Sequence, residues 1–126
     1  MTHTCFYNSE LHVVETKVQG DLTLDEIREI VTEIALIAKE KDCFLLFSDY
    51  REVTLKLSIM EIYGLPKITT NAFASLGLDI LRCSRALVAA SDLNDYSFHE
   101  NVMVNRGQNV KVFFDIDKAK KWLLRK

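Results

Sequence analysis

The run Phe44-Leu45-Leu46-Phe47 constrains this chain more than any other stretch. Four consecutive apolar residues without polar alternation cannot turn one face to water. The strand they form must be covered on both faces, as at the centre of a parallel sheet. Asp49 closes the run, and a carboxylate cannot go inside unpaired, so the strand is expected to stop there and give way to a loop through Leu57. Ser58 and Glu61 then supply the S-x-x-E pattern of a helix start, in which each side chain satisfies a backbone N–H of the other. A second apolar run, Ala86 to Ala90, has the same two-sided character.

Periodicity places the neighbours of these two strands. Cys5–Asn8 and Leu11–Gln19 read as a hairpin across Asn8-Ser9-Glu10, and Gly20-Asp21 breaks the longer strand. Thr23 and Glu26 repeat the capping pattern, and Ile27, Ile30, Val31, Ile34, Ile37 and Ala38 recur at helical spacing, which predicts a helix from Thr23 to Lys41. The helix opened by Ser58 meets Pro66, which is expected to end it, kink it, or start a second helix closed by Gly77. A helix from Tyr96 or Ser97 to Gly107, a strand Val110–Phe114 and a helix capped by Asp115 or Asp117 follow.

The order β-β-α-β-α-β-α-β-α predicts an α/β fold over residues 1–126 as a single domain. Its sheet should be five-stranded and mostly parallel, with an antiparallel N-terminal edge strand. Right-handed crossovers wound in one direction would put every helix on one sheet face. The expected interior includes Val14, Val18, Ile27, Ile34, Leu45, Phe47, Leu87, Val88, Val112, Phe114 and Trp122.

Charge and cysteine content narrow the function. A net charge of −2 over 126 residues, with 27% charged side chains, lacks the basic face that nucleic acid demands. The basic run Lys118, Lys120, Lys121, Arg125 and Lys126 is accounted for by the end of a solvated helix. Cys5, Cys43 and Cys83 are odd in number and widely spaced, which fits neither a disulfide framework nor a zinc site. Cys43 and Cys83 flank apolar strands and read as small buried hydrophobes. The N-terminal stretch has no basic region followed by an apolar run, and no stretch approaches the ~20 apolar residues of a membrane span. A cytoplasmic protein with no cofactor is the expectation.

Taken together, Val18-Gln-Gly-Asp-Leu-Thr23, Asp49-Tyr-Arg51 with Leu57-Ser58, Glu61-Ile-Tyr-Gly-Leu-Pro66, Phe98-His-Glu-Asn-Val102 with Asn105-Arg-Gly107, and Val112-Phe-Phe-Asp115 with Ala119 and Trp122-Leu123 resemble the small bacterial STAS-like proteins. Their fold is that of the anti-sigma-factor antagonists. The resemblance spans nearly the whole chain and implies a non-enzymatic regulatory or protein-interaction module, with a protein partner or a sensed small ligand. In anti-sigma-factor antagonists, an Asp-Ser-Ser-Gly segment carries a phosphorylated serine at the start of the helix after the central strand. Here that place reads Lys56-Leu57-Ser58-Ile59, which leaves Ser58 as the candidate phosphorylation site, a position that helix capping also explains.

Parallel sheets bind ligands beyond the carboxyl ends of their strands. That rim is expected to carry Asp49, Tyr50, Arg51, Ser91, Asp92, Asn94 and the capping Asp115. Two other readings compete. Met60, Tyr63, Phe73 and Phe98 could line an apolar cavity of a lipid-like carrier. Ser91, His99 and Asp95 could form a hydrolytic triad, although no G-x-S-x-G elbow accompanies them. If all helices lie on one face, the other face of the two-sided strands needs a cover, and a homodimer across that face is the expected solution.

Overall fold

The computed structural model describes residues 2–90 and 108–125. Five strands form one sheet: β1 (Thr2–Asn8), β2 (Val13–Leu22), β3 (Leu45–Leu55), β4 (Ser84–Ala89) and β5 (Asn109–Phe113). They lie side by side in chain order, β1 antiparallel to β2 and all other pairs parallel. Three helices accompany them, α1 (Leu24–Lys41), α2 (Ile59–Ala74) and α3 (Ile116–Leu123). The α/β class, the mixed sheet and the antiparallel edge strand are those expected from the sequence. The helix expected between Tyr96 and Gly107 lies outside the described residues.

Asn8 makes the first turn. Its Oδ1 accepts the backbone N–H of Glu10 and of Leu11, at 3.1 and 3.2 Å, and reverses the chain into β2. Gly20 does not end β2; at φ 96° it keeps its place opposite Val53 while the strand continues to Leu22.

The two sheet faces have different covers. Val14, Val18, Leu22, Leu46 and Val110 pack with Ile30, Val31, Ile34 and Ala38 of α1 and with Ile62, Leu65 and Phe73 of α2. On the other face Val13, Phe47, Ala86 and Val88 pack with Ala119 and Leu123 of α3. The expectation of helices on one face is therefore corrected. The handedness rule governs helices that link two parallel strands. α3 follows β5 and joins no two of the described strands, so the rule does not set which face it takes. With α3 there, the homodimer expected to bury that face loses its premise.

Three sequence expectations about elements are corrected as well. β3 passes through Asp49 and runs to Leu55, helped by a register shift against β2 between Lys17 and Gln19. Pro66 neither ends α2 nor opens another helix; it is buried in the interior of one continuous helix. Thr23 makes no side-chain cap on α1, and Oε2 of Glu26 has no hydrogen-bond partner among the described residues, so the first capping box is not formed.

The closing of α2 is as read. The N–H of Leu78 reaches the carbonyl of Phe73 at 2.9 Å and that of Gly77 reaches Ala74 at 2.9 Å, with Gly77 at φ 79°. Of the expected interior, Val14, Val18, Ile27, Ile34, Phe47, Leu87 and Val88 are buried, while Leu45, Val112 and Trp122 are half-buried. Phe114 lies just past the end of β5 and is exposed, a correction to its assignment to the core.

Candidate functional site

Of the expected ligand rim, the structure describes Asp49, Tyr50, Arg51 and Asp115. Asp49, Tyr50 and Arg51 are interior residues of β3 and alternate across the sheet. Tyr50 packs on the α1–α2 side. Asp49 and Arg51 bond to each other. The guanidinium grips the carboxylate through Nε–Oδ1 and Nη2–Oδ2, both 2.9 Å, and the Arg51 backbone N–H adds a third bond at 3.1 Å. Burial pushes the Asp49 carboxyl up, but the Arg51 bonds and charge, with Lys17 beside it, outweigh this and hold it below its ordinary value. Asp49, expected to end the strand because it cannot go inside unpaired, instead stays inside it, paired with the residue two along. Asp115 is occupied as the cap of α3, accepting the N–H of Lys118 at 3.1 Å. Ser91, Asp92 and Asn94 lie outside the described residues, as do Asp95, Phe98 and His99. Of the residues expected for an apolar cavity, Phe73 is 1% exposed, Met60 79% and Tyr63 52%.

Ser58 does occupy the start of a helix. Its Oγ accepts the N–H of Glu61 at 3.1 Å, and Glu61 Oε1 accepts the N–H of Ser58 at 2.8 Å. The residues that follow are unusual for a capped helix in a folded protein. Ile59 is 64% exposed, and Met60 and Tyr63 also turn outward, so the first turn of α2 presents large apolar side chains to water. From this turn a groove of about 700 Å³ opens between α1 and α2. Leu24, Met60, Ile68 and Ala72 give it apolar lining, Arg28 and Lys67 bring cations, Glu61 a carboxylate, and Thr32 and Asn71 bring hydroxyl and amide groups. Gly64 sits in the lining with nothing within 4 Å of where a Cβ would stand, which keeps the groove open. Residues 59, 60 and 63 were readable as a helix turn, but their exposure was not, because only the outer cover of α2 decides it.

A second polar cluster escaped sequence reasoning. Gln108, 3% exposed, donates from Nε2 to the carbonyl of Pro66 at 3.1 Å and accepts at Oε1 from Arg85 Nη1 at 3.0 Å. Thr69 Oγ1 lies 2.9 Å from the same Pro66 carbonyl and 3.2 Å from Gln108 Nε2. The cluster ties α2 to β4 and to the start of β5. Burial pushes the Tyr50 phenol up and the Arg85 guanidinium down from their ordinary values, each effect opposed by the other group. Two cavities of about 30 and 20 Å³ lie beside it, both lined by Tyr50, Thr69 and Arg85. Each has room for about one or two waters, far below the ~300–1,000 Å³ of ligand pockets. The only trace in the sequence was a cation, Arg85, at the head of an apolar run.

Among the described residues no group of histidine, cysteine and acidic side chains is arranged to hold a metal ion, and no helix is long and apolar enough to cross a membrane. The chain is an α/β protein whose mixed five-stranded sheet carries α1 and α2 on one face and α3 on the other. A scan against protein-family models finds no match, and no curated protein is found to match.

Proposed function

We propose that this chain is a non-enzymatic, STAS-like regulatory module that binds a protein partner through the first turn of α2 and the α1–α2 groove. The observation that carries this reading is the exposed apolar row Ile59, Met60 and Tyr63, which begins at the capped Ser58 and leads into the groove. Large apolar side chains beside Arg28 and Lys67, two cations against the one carboxylate of Glu61 in the groove, suit an amphipathic helix with an acidic polar face. Ser58 is the proposed phosphate acceptor. A phosphate there would meet the positive end of α2 but would displace Glu61 from its cap, so modification would repel an acidic partner while leaving the helix anchored. The proposed setting is the cytoplasm, supported by three free thiols, two of them buried.

The test is site-specific photo-crosslinking in cells from Met60, with Lys121 on α3 as control position. The reading expects one protein adduct at Met60, absent at Lys121 and weakened by Ser58→Glu. Native mass spectrometry showing a co-purifying lipid, with no adduct at Met60, would replace it with the carrier reading.

A further inference from the structure

We propose that β1 pairs antiparallel with β1 of a second copy, extending the sheet across a two-fold axis at Cys5. Among the described residues β1 pairs with β2 alone, and its other edge presents a row of backbone groups that no described strand pairs. Edge strands are commonly protected by charge, proline or brevity. The opposite edge, β5, is five residues long with Lys111 at its centre. β1 is seven residues long, Thr-His-Thr-Cys-Phe-Tyr-Asn, with no proline, lysine or acid. Phe6, directly opposite Glu15 of β2, is half exposed.

Charge placement selects a second copy as the occupant. A two-fold axis at Cys5 pairs all seven residues, and sets His3 of one copy opposite Tyr7 of the other. His3 carries Glu33 of α1, with Nε2 2.8 Å from the carboxylate. Tyr7 carries Lys41 of the same helix, its ammonium 5.6 Å from the ring centre and 3.9 Å from Glu40. Glu33 of each copy therefore comes to the side of Lys41 of the other, twice per dimer. The same register sets Phe6 against Thr4 on the opposite face, an aromatic–β-branched pair, with the two phenylalanines diagonal to each other. An isologous interface of this kind closes after two copies.

Sedimentation equilibrium of the intact chain, with hydrogen exchange read at several concentrations, tests the proposal. It expects a monomer–dimer equilibrium, β1 amides that gain protection as concentration rises, and at least roughly tenfold weaker association in Phe6→Lys with unchanged melting. Glu33→Lys and Lys41→Glu should each weaken association, and the double swap should restore it. A monomer at several hundred micromolar overturns the proposal. So does β1 protection independent of concentration, which would mean another strand holds the edge, or a dimer untouched by Phe6→Lys and by both charge variants. None of these variants touches the α1–α2 groove, so failure here is distinct from failure of partner binding there.

Discussion

Ser58 and Asp49 show how differently two polar residues, one just beyond β3 and one inside it, are used. Ser58 satisfies the N–H of Glu61 and is itself satisfied by that side chain, so Ser58→Ala should cost about 1 kcal/mol in denaturant unfolding. A loss near zero would mean water replaces the cap. Asp49 is held ionised by Arg51 and Lys17, with its folded-state value below the ordinary 3.8. A lowered carboxyl contributes stability that is fully present above the ordinary value and is lost as pH falls through the folded one. Wild type and Asp49→Asn should therefore differ near neutrality and converge only as pH falls from the ordinary 3.8 through the lower folded value, as read from melting at successive pH values. The cap was readable because its two residues are three apart. The ion pair was not, because Asp49 and Arg51 share a side only if β3 continues, and the sequence places a charged residue where a strand would ordinarily end.

At the scale of elements, α2 and its supports show where sequence reasoning stops. A proline within a helix loses one backbone bond and crowds the preceding turn, at a cost of roughly 3 kcal/mol, so a break at Pro66 was the sound expectation. The helix continues with Leu65, Pro66, Thr69 and Phe73 buried together, and Gln108 and Thr69 add bonds to the Pro66 carbonyl. Those partners come from 42 residues away and from the next turn, beyond what local spacing reveals. Gln108→Ala should cost about 1–3 kcal/mol, because it removes a buried acceptor from Arg85 and a donor from Pro66. A cost below about 0.5 kcal/mol would show the cluster to be incidental. Gly77 was readable, since a left-handed closing residue beyond a helix is nearly a glycine signature. At φ 79°, Gly77→Ala should lose roughly 1 kcal/mol in the same assay.

For the whole molecule, the decisive contact is between α3 and the sheet. Phe47 is 4% exposed, in a cluster with Ala86, Val88, Ala119 and Leu123, and Lys120 lies over its ring at 5.1 Å while reaching Glu15 at 3.5 Å. Phe47→Ala should cost about 3–5 kcal/mol, measured by denaturant unfolding. A markedly smaller value would mean α3 holds only loosely. The two-sided character of this strand was plain in four consecutive apolar residues. Which helix covers its second side was not, because the handedness of crossovers is silent about a helix after the last strand.

That same placement orders events on the ribosome. Strands β1 to β4 are adjacent in space in the order in which they are made, and α1 and α2 arrive between them, so most of the sheet and one of its covers can form as the chain emerges. Among the described residues, the helix that covers Phe47, Ala86 and Val88 is α3, synthesised after β1 to β5. At ~5–20 residues per second, the nascent chain passes some seconds with a finished strand and one bare apolar side. Whatever shields a growing polypeptide in the cell has that interval in which to act here, and a message cut short between β5 and α3 would release a product without the α3 contacts to Phe47, Ala86 and Val88.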